Sequence, residues 1–93
     1  METTFKKYKI DGHTYYLAQK GDTVALINSE SYHAPLEKYL NKWFVYYIYD
    51  KVEWWDVKDY VYSYDYETYE VLPTLRECKE ASENYFNLIS NQL

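Results

Sequence analysis

The chain has 93 residues, a formal net charge of −5 and 22% aromatic residues, with only two glycines and two prolines. That length holds one domain, which buries about 60–65% of its unfolded surface around a single core. So many large apolar side chains offset the entropy of ordering, which excludes a disordered or low-complexity chain. No apolar run approaches the ~18 residues of a membrane span, so no membrane partner is expected.

The elements follow in chain order, beginning with a β-meander over 5–28. Residues 5–10 alternate, with Tyr8 and Ile10 on one face and Lys7 and Lys9 on the other. Asp11-Gly12 then signals a two-residue hairpin, because a type I′ turn requires positive φ at both central positions. Residues 13–18 run back as a second strand. Gln19-Lys20-Gly21-Asp22 turns again, and residues 23–28 make a third strand.

Residues 29–42 read as a loop or short helix. Pro35 suits a first helical position, and Leu36, Tyr39 and Leu40 fall on one helical face near 35–42; an insertion loop is the alternative. A second meander is expected over 43–66. Residues 43–49 are apolar at both parities, as in a central strand covered on both faces. Residues 52–57 return as a strand, and so do residues 60–66, where tyrosine occupies 60, 62, 64 and 66. A period of two places those four phenols on one face.

The chain closes on a helix over 74–91. Thr74 and Glu77 form a capping box after Pro73. Leu75, Cys78, Ala81, Tyr85, Leu88 and Ile89 make the apolar stripe. The expected fold is therefore α+β: about six antiparallel strands in two meanders, with the C-terminal helix packed on one sheet face.

Enzyme chemistry finds no signature. Two separated glycines make no phosphate-binding loop. His13, His33 and Cys78 lack the number and spacing of a structural zinc set. Cys78 lies mid-stripe, where a cysteine serves as a small hydrophobe, and His13 reads as an exposed strand residue. No catalytic residue, metal or cofactor is assigned. The single cysteine excludes an internal disulfide and fits a reducing compartment. With no secretory-type apolar stretch after Met1, the expected location is the cytoplasm.

Charge is distributed unevenly. Residues 50–70 hold seven acids (Asp50, Glu53, Asp56, Asp59, Asp65, Glu67, Glu70) against Lys51 and Lys58, so this window carries the entire net charge and the remainder is neutral. A solvated acidic edge is the plain reading. Core packing under the helix is the plain reading of the tyrosines. Direct nucleic-acid stacking is disfavoured, because the charge around these aromatics has the wrong sign for phosphate.

The functional reading is an acidic aromatic surface presented to a basic protein. Carboxylates two apart on a strand lie about 6.6 Å apart, close to phosphate spacing, and Asp65 and Glu67 have that separation in sequence. The expected partner-binding residues are the seven acids together with Trp54, Trp55 and Tyr69. One tryptophan of the adjacent pair is expected to be exposed. In size, acidity and aromatic content the chain resembles the profile of phage and mobile-element inhibitors such as anti-CRISPR and anti-restriction proteins; no motif marks one such family. That profile implies a non-enzymatic inhibitor of a nuclease or other nucleic-acid-binding complex, acting in the host cytoplasm if phage-encoded. The alternative is a structural or self-associating module, a homodimer with the tyrosine face as its interface.

Overall fold

The computed structural model describes residues 3–29 and 43–91. The expected loop or helix after Ser29, with His33 in it, lies outside the described residues. The elements are β1 (Lys6–Ile10), β2 (His13–Lys20), β3 (Thr23–Ser29), β4 (Phe44–Asp50), α1 (Val57–Tyr62), β5 (Thr68–Leu72) and α2 (Leu75–Asn91). The strands form one five-stranded antiparallel sheet in sequence order, β1-β2-β3-β4-β5. The fold is α+β, with one strand fewer than the sequence suggests.

The first hairpin turns as its residues require. Asp11 and Gly12 both adopt positive φ, at 52° and 82°, which aspartate and glycine tolerate better than other residues. β3 and β4 occupy the sheet interior. In β3, Thr23 through Ile27 are buried at both parities, and in β4 so are Val45, Tyr46, Ile48 and Tyr49.

The register sorts the side chains onto two faces. Ala18, Ala25, Ile27, Tyr46 and Ile48 pack with Cys78 and Phe86 beneath α2. Val24, Leu26 and Tyr49 pack with Tyr60 on the opposite face, joined by Tyr47, Trp55, Val57, Val61 and Tyr66. α2 begins at a Thr74 cap, whose Oγ1 accepts from the Glu77 N–H at 3.1 Å. Its inward stripe is Cys78, Ser82 and Phe86, all buried. Ser82 is tolerated there because its hydroxyl donates to the Cys78 carbonyl at 2.8 Å. Leu88, expected on the stripe, is exposed.

The second meander is the main correction. Residues 52–57 and 60–66 are not strands. The Trp55 N–H donates to the Val52 carbonyl in a turn, and α1 starts at Val57. Two local signals win over the tyrosine alternation. Asp56 caps the helix reciprocally with Asp59: the Lys58 N–H donates to Asp56 Oδ1 at 3.0 Å and the Asp56 N–H to Asp59 Oδ2 at 2.8 Å. Val57, Tyr60 and Val61 then fall at i, i+3, i+4 and pack onto the sheet. Consequently the four phenols do not share a face. Tyr60 is buried, Tyr66 half-buried, and Tyr62 and Tyr64 are exposed. They lie across the sheet from α2, so they do not form the core beneath it.

The fifth strand is instead Thr68–Leu72, paired with β4 through Tyr47↔Tyr69, Tyr46↔Glu70 and Val45↔Val71. Among the described residues no helix is long and apolar enough to cross a membrane.

Candidate functional site

α1 lies on the sheet face opposite α2, fastened by its buried tyrosine. Tyr49 Oη donates to the Tyr60 carbonyl at 2.9 Å, and the Tyr60 hydroxyl accepts from the Val52 N–H at 3.1 Å. The Tyr60 ring meets Trp55 at 5.0 Å and Tyr49 at 5.3 Å between centroids. At the far end of α1, the Tyr62 hydroxyl donates to Asp11 Oδ2 of the first hairpin. The chain then crosses back over the sheet, and Tyr66 seats on β4. Its ring centroid lies 4.9 Å from Tyr47, 6.2 Å from Tyr49 and 5.4 Å from Tyr69.

This path leaves a groove of about 440 Å³ between the 61–66 segment and the sheet. Among the described residues six tyrosines line it: Tyr15, Tyr47, Tyr49, Tyr62, Tyr64 and Tyr66. Burial pushes the Tyr49 phenol well above its ordinary value, with Tyr47 and Tyr66 adding to the effect, so it is a neutral hydroxyl at physiological pH.

The expected site acids divide by position. Asp50 sits at the end of β4 opposite Thr23. Beside it, the Lys51 N–H donates to the Asp22 carbonyl and the Glu67 N–H to the Ile48 carbonyl. Asp22, Asp50 and Glu67 thus meet where β3 begins, β4 ends and β5 is about to start. Glu53 and Asp56 follow immediately in the connection to α1, and Asp59 is tied to Asp56 through the cap. All six are exposed.

Asp65 and Glu70 stand apart from this group. The Asp65 N–H donates to Ser63 Oγ in the crossing segment. Glu70 faces the α2 side, where its Oε1 accepts from the Tyr46 hydroxyl at 2.9 Å. Desolvation and that hydrogen bond push the Tyr46 phenol up to about 12. The strand spacing expected between Asp65 and Glu67 is not formed, because neither residue is in a strand.

Within the acidic end the charges are not offset. Lys20, Lys51 and Lys58 stand nearby, but among the described residues the acids of 50–70 form no ion pair; the pair that does form is Arg76–Glu80, on α2. The Glu67 carboxyl is raised above the usual carboxylate range, first by its hydrogen bond to Asp50, with desolvation and the Asp50 charge acting the same way.

The aromatic candidates also separate. Trp54 is 83% exposed, between Glu53 and Asp56 in sequence, whereas Trp55 packs on Tyr60. Tyr69 is exposed on edge strand β5, its ring 6.0 Å from Tyr47. The groove and its Asp11 rim were invisible to sequence reasoning, since Asp11 and Tyr62 are 51 residues apart. The signal for α1 was present in the Asp56–Asp59 spacing.

Among the described residues no metal or nucleophile site emerges from this geometry. Among the described residues no group of three or more His, Cys, Asp or Glu side chains is placed to hold a metal ion. Cys78 is fully buried, and desolvation pushes its thiol up to about 12, so it is neither thiolate nor accessible. His13 is exposed at the start of β2.

No protein family, curated protein or solved structure matches the chain.

Proposed function

We propose that this protein is a non-enzymatic binder of a basic protein, and that its acidic end occupies a surface made for nucleic acid. The observation that carries this reading is Trp54, exposed within an end of the sheet whose carboxylates lack internal counter-ions. An exposed tryptophan is apolar anchor area, of the kind enriched at interface hot spots. Unpaired carboxylates around it steer a cationic groove toward it and give fast, salt-sensitive association. The site is Asp50, Glu53, Trp54, Asp56, Asp59 and Glu67, with Asp22 added. Asp65, Glu70 and Tyr69 belong to its periphery, and Trp55 supports the fold beneath Trp54. The physiological setting that the profile suggests is inhibition of a nuclease or related complex, in the cytoplasm of a host.

The test is affinity capture of nucleic-acid-binding proteins at low and high salt, comparing the wild-type chain with an Asp50→Lys, Glu53→Lys double variant. Neither residue caps α1, so the fold is retained. Binding is expected to weaken about tenfold or more on reversal, to fall with salt, and to be displaced by free nucleic acid. Binding that survives reversal and is flat across salt would refute the reading.

A second reading is self-association through the tyrosine face. Tyr62, Tyr64 and Tyr69 are all exposed there. Light scattering across dilution decides it: a dimer whose dissociation is promoted by Tyr64→Ser or Tyr69→Ser favours this reading, and a monomer at all concentrations removes it.

A further inference from the structure

Trp54 has a hole beside it. Between residues 51–57 and the first two strands lies a depression of about 290 Å³. Among the described residues its apolar walls are Tyr8 on β1, Leu17 on β2, and Val52, Trp55 and Val57. All five are partly buried. Lys51 and Glu53 stand in the same lining, and both are exposed. Trp54 falls in sequence between two residues of that lining, Glu53 and Trp55, and is 83% exposed.

Residues 51–57 therefore bring together an apolar knob, an apolar hole, a cation and an anion. Among the described residues neither the Lys51 ammonium nor the Glu53 carboxylate enters an ion pair. A surface that carries both halves of each contact is complementary to itself. A two-fold interface requires that property, because residue i meets j while j meets i. The hole is small for a ligand site and suits one large side chain. An indole that fills it leaves water and meets the Tyr8 and Trp55 rings.

We propose that residues 51–57 form a dimer contact with a second copy of this chain. Trp54 of each copy fills the hole of the other, and Lys51 of each pairs with Glu53 of the other. A contact centred on one side chain buries less than the ~1,200–2,000 Å² of stable complexes. Two copies of net charge −5 also repel one another. The dimer is accordingly weak and forms at high concentration. It does not depend on the reading of the acidic end, but it covers Trp54, so a second copy and a basic protein compete for that side chain.

Sedimentation of the full chain across dilution reads the mass, and amide shifts of the 15N-labelled chain over the same series locate the contact. Concentration-dependent shifts are expected at Tyr8, Leu17 and residues 51–57. Trp54→Ser replaces an exposed side chain, so the fold is retained, and it is expected to abolish the dimer. Lys51→Glu and Glu53→Lys each place like charges opposite one another and are expected to weaken it severalfold or more. Mixing these two variants restores opposite charges at both contacts and is expected to give a mixed dimer of near wild-type affinity. Tyr64→Ser and Tyr69→Ser are expected to leave it unchanged.

The dimer is overturned if the wild-type chain stays monomeric up to about 1 mM, if Trp54→Ser associates as wild type does, or if the mixed charge variants associate no better than either alone. A dimer dissociated by Tyr64→Ser and not by Trp54→Ser belongs to the tyrosine face and overturns it equally. Lys51→Glu separates this contact from the docking of a basic protein: it is expected to lose the dimer while still being captured. Salt-sensitive capture by a chain that never dimerises would sink the dimer and leave the docking reading standing, and a Trp54-dependent dimer that captures no basic protein would do the reverse.

Discussion

Tyr49 and Tyr60 hold the two layers of the second face together: the Tyr49 hydroxyl, on β4, donates to the Tyr60 main-chain carbonyl, on α1, at 2.9 Å, and their rings meet edge to face. Six residues make too short a helix to persist alone. α1 therefore depends on this contact and on the buried Tyr60 side chain. Tyr60→Ala is expected to cost about 3–5 kcal/mol through the cavity it leaves. Tyr49→Phe is expected to cost about 1 kcal/mol, because the Tyr60 carbonyl loses the phenol donor but keeps the Ser63 N–H at 3.3 Å. Urea unfolding followed by tryptophan fluorescence measures both, since Trp55 packs on Tyr60.

The cap of α1 makes a separate prediction. Asp56→Ala removes the acceptor for the Lys58 N–H and is expected to cost about 1 kcal/mol. Asp56→Ser keeps an acceptor and is expected to recover most of that loss. The same urea measurement reads both variants, and equal stability of Asp56→Ala and wild type would show that the cap is unimportant.

Glu67 is strained by Asp50, and the sign of its pH dependence follows. A carboxyl whose folded value is raised favours its protonated form in the fold, so the repulsion is absent at low pH and grows as pH rises through that value. Glu67→Gln removes the charge and still offers an oxygen to the Tyr85 hydroxyl, which bonds Glu67 Oε2 at 3.4 Å. The variant is expected to melt higher than wild type at pH 7, with the advantage shrinking toward pH 4. Thermal melts at the two pH values test this.

The alkaline limit comes from the core. Cys78 is raised from 9.0 to about 12 and Tyr46 from 10.0 to about 12, both chiefly by desolvation. Groups raised in the fold stabilise it fully below their unfolded values, and that contribution is lost as pH climbs toward the folded ones. Stability is therefore expected to be level up to about pH 9 and to decline between pH 9 and 12. Over that range a thiol-specific chromogenic reagent should react with Cys78 only as the domain unfolds. Rapid labelling of the folded chain at pH 8 would contradict the buried position.

Local chemistry determined most of the architecture from the sequence. The Asp11-Gly12 turn, the alternation flanking it, the doubly apolar 43–49 run and the Thr74 cap each act over a few residues, and each produced its element within one or two residues of the expected bounds. The concentration of charge in 50–70 was equally legible, because composition needs no coordinates. What failed was the 52–66 segment, where two periodicities coexist. Tyrosines at every second position fit a strand, while Val57, Tyr60 and Val61 fit a helix. Only the tertiary structure chose between them, because β4 presents Tyr49 and Val24 lies beside it on β3, an apolar bed that rewards burying Tyr60. That choice released the pairing edge of β4 to Thr68–Leu72, divided the acids between the sheet end and its two faces, and opened the tyrosine groove. Which side chains meet across long separations depends on register and layer packing, and no short stretch of sequence carries that information.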